Sequence, residues 1–179
     1  MTVYQARLAI PVSERDHRRG PDTAPVTLVE YGDYECPYCG MAHPVVRAIE
    51  ERMGDQLRFV YRHFPLTTIH PHSQHAAEMS EAAGAQGRFW EMHDTLFTHQ
   101  DALDDAHLLV YAAALGLDVA RAAQELRDHV WAGRVREDFR SGVRSGVNGT
   151  PTFFINGVRH DGPYQFEFLY PALLRAMPK

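Results

Sequence analysis

Cys36-Pro37-Tyr38-Cys39 carries the only two cysteines of a 179-residue chain, and it lies between an apolar strand pattern and a helical one. Upstream, Val26-Thr27-Leu28-Val29-Glu30-Tyr31 is short, apolar and β-branched, as a central strand buried on both faces should be. Downstream, Met41, Val45, Ala48, Ile49 and Met53 recur at helical spacing, and Gly54-Asp55 ends the run. Pro37 suits the first helical position, where a missing N–H costs nothing, so Cys36 falls at the N-cap and Cys39 in the first turn. Pro44, inside the same helix, should kink it. Residues 57–62 then read as a second strand. Strand, helix and strand in that order form the unit from which parallel sheets are built, which puts the cysteines at a carboxyl end of the sheet.

Two chemistries are open to such a pair. At a helix N-terminus, unpaired backbone N–H groups and the helix dipole favour a thiolate at Cys36, and the thiolate is the attacking species. Cys39, one turn along the same face, is placed to resolve a mixed disulfide. Cys36 is then expected to be the exposed nucleophile and Cys39 the more buried thiol, with Pro37 and Tyr38 tuning how far the dithiol is favoured. The other chemistry is half of a zinc site, for which His70, His72 and His75 are the compact candidates for further ligands. The strand-turn-helix context favours redox chemistry, and no metal is expected.

Composition removes other classes. A net charge of −5 and a pI near 6.1 argue against a phosphate-binding surface, so nucleic acid is not an expected partner. The charged first twenty residues hold no signal-peptide apolar region, and no stretch approaches the roughly 20 apolar residues needed to cross a bilayer. A soluble, cytoplasmic protein without a membrane partner is expected, and in a reducing compartment a disulfide this short-range would add little stability.

Elsewhere, Tyr4, Ala6, Leu8, Ile10 and Val12 alternate with polar or small neighbours, predicting an opening strand, and the polar stretch 13–25 predicts a loop. Residues 73–85, 88–99, 104–115, 118–130 and 134–147 read as Ala-rich helices with starts at Ser73, Asp104 and Asp118 and stops at Gly84, Gly87 and Gly116. Strand character returns at 150–155, and Asn156-Gly157 predicts a hairpin into 158–160. Phe166, Leu169, Leu173 and Leu174 mark the apolar stripe of a closing helix. A proline opening an otherwise central strand is awkward for the ladder. Either Thr150-Pro151 is cis, exposing the Thr150 backbone to an extended peptide, or Pro151 simply begins the strand.

Val29-Glu30-Tyr31-Gly32-Asp33-Tyr34-Glu35 before the cysteines, with Gly149-Thr150-Pro151-Thr152-Phe153 about 110 residues later, resembles the DsbA-like thioredoxin-fold disulfide oxidoreductases over nearly the whole chain. Residues 62–66 and 89–93 look like further landmarks of that family. A plain thioredoxin has much less chain between these motifs, whereas this family inserts a helical domain of about the length seen here. The resemblance implies one α/β domain over residues 1–179: a thioredoxin-like fold with a central mixed sheet and an all-helical insertion at about 70–147. It also implies that Cys36 is the nucleophile, Cys39 the resolving thiol, and Pro151 a cis-proline facing them, with Thr150 and Pro151 binding substrate. Two features depart from the exported members, which usually have His between the cysteines and carry signal peptides; Pro-Tyr is the pair typical of glutaredoxins.

The expected function is thiol-disulfide exchange, as an oxidoreductase or isomerase, on protein or small-thiol disulfides. No cofactor is needed beyond the redox-active Cys36–Cys39 pair, which a reductant or oxidant partner must reset. The alternatives are a glutathione-dependent, glutaredoxin-like reductase and a redox-inactive metal- or peptide-binding module. Glu30, in a strand expected to be buried, could accept a proton beneath the disulfide. Glu35 could pass a proton but reads better as a turn residue. Phe89, Trp90, Met92, Leu96 and Phe97 read as core rather than a substrate groove, and the mixed-charge run 134–144 as a solvated helix face.

Overall fold

The computed structural model of the chain describes residues 5–178. Five strands form one sheet: β1 (His17–Arg19), β2 (Val26–Gly32), β3 (Leu57–His63), β4 (Thr152–Ile155) and β5 (Val158–His160), in the order β1-β3-β2-β4-β5. β2 and β3 are neighbours joined by α1 (Pro37–Met53), the helix-long crossover that parallel strands require. β1 runs antiparallel to β3, and β4 antiparallel to both β2 and β5. Five helices separate β3 from β4: α2 (Ser73–Gly84), α3 (Phe89–Thr98), α4 (Asp105–Ala114), α5 (Val119–Arg127) and α6 (Ala132–Arg144); α7 (Phe166–Arg175) closes the chain. This is a thioredoxin-like fold with a helical insertion.

The chain divides into two compact units. The sheet unit takes the chain up to Gly32, Met41–Arg62, and the chain from Arg140 on. The helical unit takes Asp33–Gly40 and His63–Phe139, so the cysteines cluster with the helices. In the sheet unit, Leu28, Val29 and Tyr31 of β2, Phe59 and Val60 of β3, Phe154 of β4, and Leu169 and Leu173 of α7 are buried. Each such side chain contributes about 1.5–3 kcal/mol by leaving water. In the helical unit α2 packs against α3, α4 and α5, around Met79, Met92, Leu96 and Leu108. Asp104 and Asp118 cap α4 and α5 through their carboxylates, while Ser73 is the first residue of α2 rather than its cap.

Several expectations change. Tyr4 lies outside the described residues, and the rest of the expected opening strand reduces to an isolated bridge between Arg7 and Val158. Among the described residues the first true strand is His17–Arg19, within the stretch expected to be a loop. An edge strand of three residues tolerates charge, and Arg19 anchors it with two 2.7 Å bonds to Glu50. Residues 10–16 are fixed instead by the Arg62 guanidinium, which donates to Ile10 O, Pro11 O, the Tyr31 hydroxyl and both Asp16 carboxylate oxygens. In the closing helix Leu174 is exposed and Phe166 only half-buried. The hairpin forms as expected, with positive φ at both Asn156 and Gly157.

Candidate active site

Asp33 begins the turn that delivers the cysteines, and its carboxylate organises it. Oδ1 accepts the Glu35 N–H at 2.8 Å, the local bond typical of an Asp turn. Oδ2 accepts the Leu66 N–H and faces His70 Nδ1, each at 2.8 Å. The side chain is wholly buried, so three polar groups within reach offset its desolvation. Glu35 adds a second tie, accepting the His72 N–H at 2.6 Å. Glu35 is therefore a strut between the turn and the 63–72 segment, more than the plain turn residue its position suggested.

The Cys36 N–H donates to Asp33 O, and Cys36 O accepts the Gly40 N–H at 3.1 Å, the first intrahelical bond of α1. Cys36 is thus the N-cap and Pro37 the first helical residue, where the absent N–H leaves nothing unsatisfied. An N-cap side chain is directed at the second and third helical N–H groups, here those of Tyr38 and Cys39. Burial corrects one expectation: Cys36 is only 3% exposed, against 0% for Cys39, so the thiol expected to be exposed is buried. Pro37 and Tyr38 are the exposed residues of the motif, Tyr38 at 60%. No disulfide joins Cys36 and Cys39.

Gln100, just beyond α3, completes the arrangement. Its Nε2 donates to Tyr34 O and to Cys36 O, both at 2.8 Å. Gly40 makes room for it: a Cβ there would lie 2.0 Å from Gln100 Oε1. The Tyr34 ring is buried against Phe97 with centroids 4.9 Å apart, and its hydroxyl lies 3.0 Å from His93 Nδ1. Phe89, Met92, Leu96 and Phe97 are buried core residues, with Trp90 half-buried. In α6 the solvated-face expectation fails at Asp138, which is buried and accepts the His63 N–H at 3.1 Å while pairing with Arg134.

The three histidines considered as zinc ligands are not brought together as a set. His70 binds Asp33, His75 binds Asp105 at 2.6 Å, and His72 is exposed. Among the described residues neither cysteine belongs to a cluster of three or more prospective metal ligands. In the sheet unit, Glu30 is buried in β2 opposite Phe153, and Thr150-Pro151 is a cis peptide bond immediately before β4. Asp33 and Gln100 were missed in the sequence. An Asp three residues ahead of an N-cap carries a turn signal, whereas nothing local marks Gln100.

A family model described as Thioredoxin matches residues 12–173. The Na(+)/H(+) antiporter NhaA 3 of Salinispora tropica is 54% identical over 94% of this chain, which spans only 26% of that relative's length. Among solved structures, oxidised BdbD from Bacillus subtilis matches with a TM-score of 0.84 at 23% identity, covering 96% of this chain and 98% of that one. The alpha-DsbA1 structure from Wolbachia pipientis matches with a TM-score of 0.81 at 23% identity, covering 94% of each chain. These likenesses establish a common fold, and the family model spans both cysteines and Pro151. The chain belongs to the thioredoxin family, with the fold of its DsbA-like members.

Proposed function

We propose that the chain is a thiol-disulfide oxidoreductase in which Cys36 attacks and Cys39 resolves. The Cys36 thiolate attacks one sulfur of a substrate disulfide, forming a mixed disulfide and expelling the other sulfur as a thiolate. Cys39, on losing its proton, attacks Cys36 Sγ; the Cys36–Cys39 disulfide forms and the second substrate thiolate leaves. Two electrons pass to the substrate, and the two released thiolates take up the protons given by the dithiol. The same steps reversed oxidise a substrate dithiol. The observation that carries this reading is Cys36 at the N-cap of α1, where helix-end N–H groups stabilise a thiolate. We assign Thr150 and Pro151 to holding an extended substrate chain, by similarity to the family.

The test is turnover of a protein disulfide and of a glutathione mixed disulfide by the purified dithiol protein. Cys36→Ser abolishes both reactions, and Cys39→Ser leaves a trapped mixed disulfide on Cys36. Glutathione turnover that survives Cys39→Ser would favour the glutaredoxin-like alternative, and stoichiometric zinc on the two cysteines would sink the redox reading. Oxidase, isomerase and reductase roles separate by the equilibrium of the pair against a glutathione buffer, where about 30 mV corresponds to tenfold.

The antiporter relatives add a proposal about context. Their alignments cover 84–94% of the chain, and the thioredoxin model covers residues 12–173, so what is shared with them is the thioredoxin module itself. No described helix is long and apolar enough to cross a membrane. We assign the chain thiol chemistry, with a membrane transporter as one class of partner. Exchange activity of such a transporter that is indifferent to the redox state of the module would remove that partner.

A further inference from the structure

We propose that Gln100 is a positioning residue for the dithiol, setting the thiolate character of Cys36 through two backbone carbonyls; this rests on Cys36 being the reacting thiol. The side-chain amide has two hydrogens, and the structure uses both: one bond goes to Tyr34 O and the other to Cys36 O, each 2.8 Å long. The carbonyls stand on either side of Glu35, so one rigid planar group brackets the segment that leads into the helix. Cys36 O already accepts the Gly40 N–H, and Gln100 occupies its remaining acceptor capacity. Backbone rotation at Cys36 would break both the helix's first bond and the Gln100 bond.

The consequence falls on the sulfur. A thiolate at an N-cap is stabilised only while its Cα–Cβ bond keeps it over the N–H groups of Tyr38 and Cys39, and that stabilisation fades beyond the first turn. Asp33 fixes the turn on its approach, through Glu35 N–H and Leu66 N–H; Gln100 fixes the carbonyl of the cysteine itself. Glycine at position 40 is the second observation. A methyl group there would meet Gln100 Oε1 at 2.0 Å and Cδ at 2.6 Å, so the helix keeps its fourth position bare where the amide lies. Because the obstructing atoms belong to the end of a flexible side chain, Gly40→Ala is expected to displace the amide rather than the helix.

The experiment measures the rate of Cys36 alkylation by iodoacetamide against pH in a Cys39→Ser background, with Gln100→Met, Gln100→Glu, Gly40→Ala and the Gln100→Met/Gly40→Ala pair. Methionine keeps the bulk and loses both donors. Loss of two neutral bonds is expected to lower the thiolate fraction below the midpoint about three- to tenfold, moving the profile up by about half to one pH unit. Gln100→Glu, which sets a carboxylate against two carbonyl oxygens, should move it further, and asparagine, one carbon short, should not restore it. Gly40→Ala should reproduce the methionine profile, and the pair should shift no more than either alone. Profiles that superimpose on the parent while only the melting temperature falls would overturn the proposal, leaving Gln100 a structural tie. Should Gln100→Met not fold, Gly40→Ala decides by the same criterion. A parent Cys36 no more reactive than an unfolded thiol would instead overturn the assignment of Cys36 as nucleophile.

Discussion

Replacing Asp33 by alanine removes the acceptor of three groups at once: Glu35 N–H, Leu66 N–H and His70 Nδ1, each 2.8 Å from a carboxylate oxygen. Bonds to a charged acceptor contribute about 1.5–3 kcal/mol each, and donors stranded in a part-buried turn lose their partners without full rehydration. Removing the wholly buried carboxylate also spares its desolvation, so the net loss is about 3–5 kcal/mol rather than the sum of three bonds. Asparagine retains one oxygen for Glu35 but presents an N–H toward the Leu66 N–H, so about half that loss remains. The chain's two tryptophans, Trp90 and Trp131, both belong to the helical unit, so their fluorescence reports its unfolding specifically. With a urea slope of about 2.5 kcal/mol per molar, Asp33→Ala should lower the midpoint by about 1.2–2 M at unchanged slope. A fall of less than about 0.4 M, or about 1 kcal/mol, would show that solvent replaces the carboxylate and that it does not organise the turn.

Other outcomes follow from the same geometry. Arg62→Met should destabilise the sheet unit by about 3–5 kcal/mol in chemical denaturation, because it strips the buried Asp16 carboxylate of its cation, leaving it only the Ser13 N–H, and takes the donor from two backbone carbonyls. Burial opposes the charge on Arg62, but the Asp16 hydrogen bond and the neighbouring charges outweigh it and raise its pKa, so the guanidinium stays charged at every pH the protein meets. The hydrogen bond with His107 lowers the pKa of the Asp104 carboxyl below its usual 3.8; its contribution is therefore full above that value and lost as pH falls through the lowered one. Amide exchange at Ala106 should accordingly stay slow through the ordinary carboxylate range and quicken only below it, whereas in His107→Ala it should quicken earlier. Gly157→Ala should cost about 1 kcal/mol by thermal melting, since φ is +79° in a turn that needs a left-handed residue. His129→Ala should cost about 1–2 kcal/mol, as it removes the imidazole 3.2 Å from the buried Glu78 carboxylate.

The elements that organise the site were legible because each follows from short-range chemistry. Apolar β-branched residues from Val26 on, a proline at the first helical position and spacings of three to four fix β2, Cys36 and α1 without reference to the rest of the chain. Asp104 and Asp118 announce two helix starts in the same way. What stayed hidden depends on partners distant in sequence. Gln100 bonds carbonyls 64 and 66 residues away, and an amide donating to backbone leaves no periodicity behind it. Asp138 looks like one charge among many on α6 until His63 supplies the N–H that buries it. The edge strand at His17–Arg19 is written in charges because an edge needs no apolar alternation, whereas the alternation at residues 5–12 meets only the three-residue β5 and keeps a single bridge. The low exposure of Cys36 depends on what packs around it in the folded chain, which composition does not encode.

The division of the chain bears on how such a protein can be shortened or recombined. A stretch inserted between two strands looks dispensable, a decoration open to trimming. Here residues 63–139 hold Leu66, His70, His72 and Gln100, and these meet the backbone and side chains of residues 33–36 directly. Excising the insertion would leave the sheet and most of α1 with their own contacts but unmoor the eight residues that bear the thiols. The turn that bears the cysteines and the helices therefore belong together, and a graft that moves Cys36-Pro37-Tyr38-Cys39 without Asp33's and Gln100's partners carries the motif but not its setting.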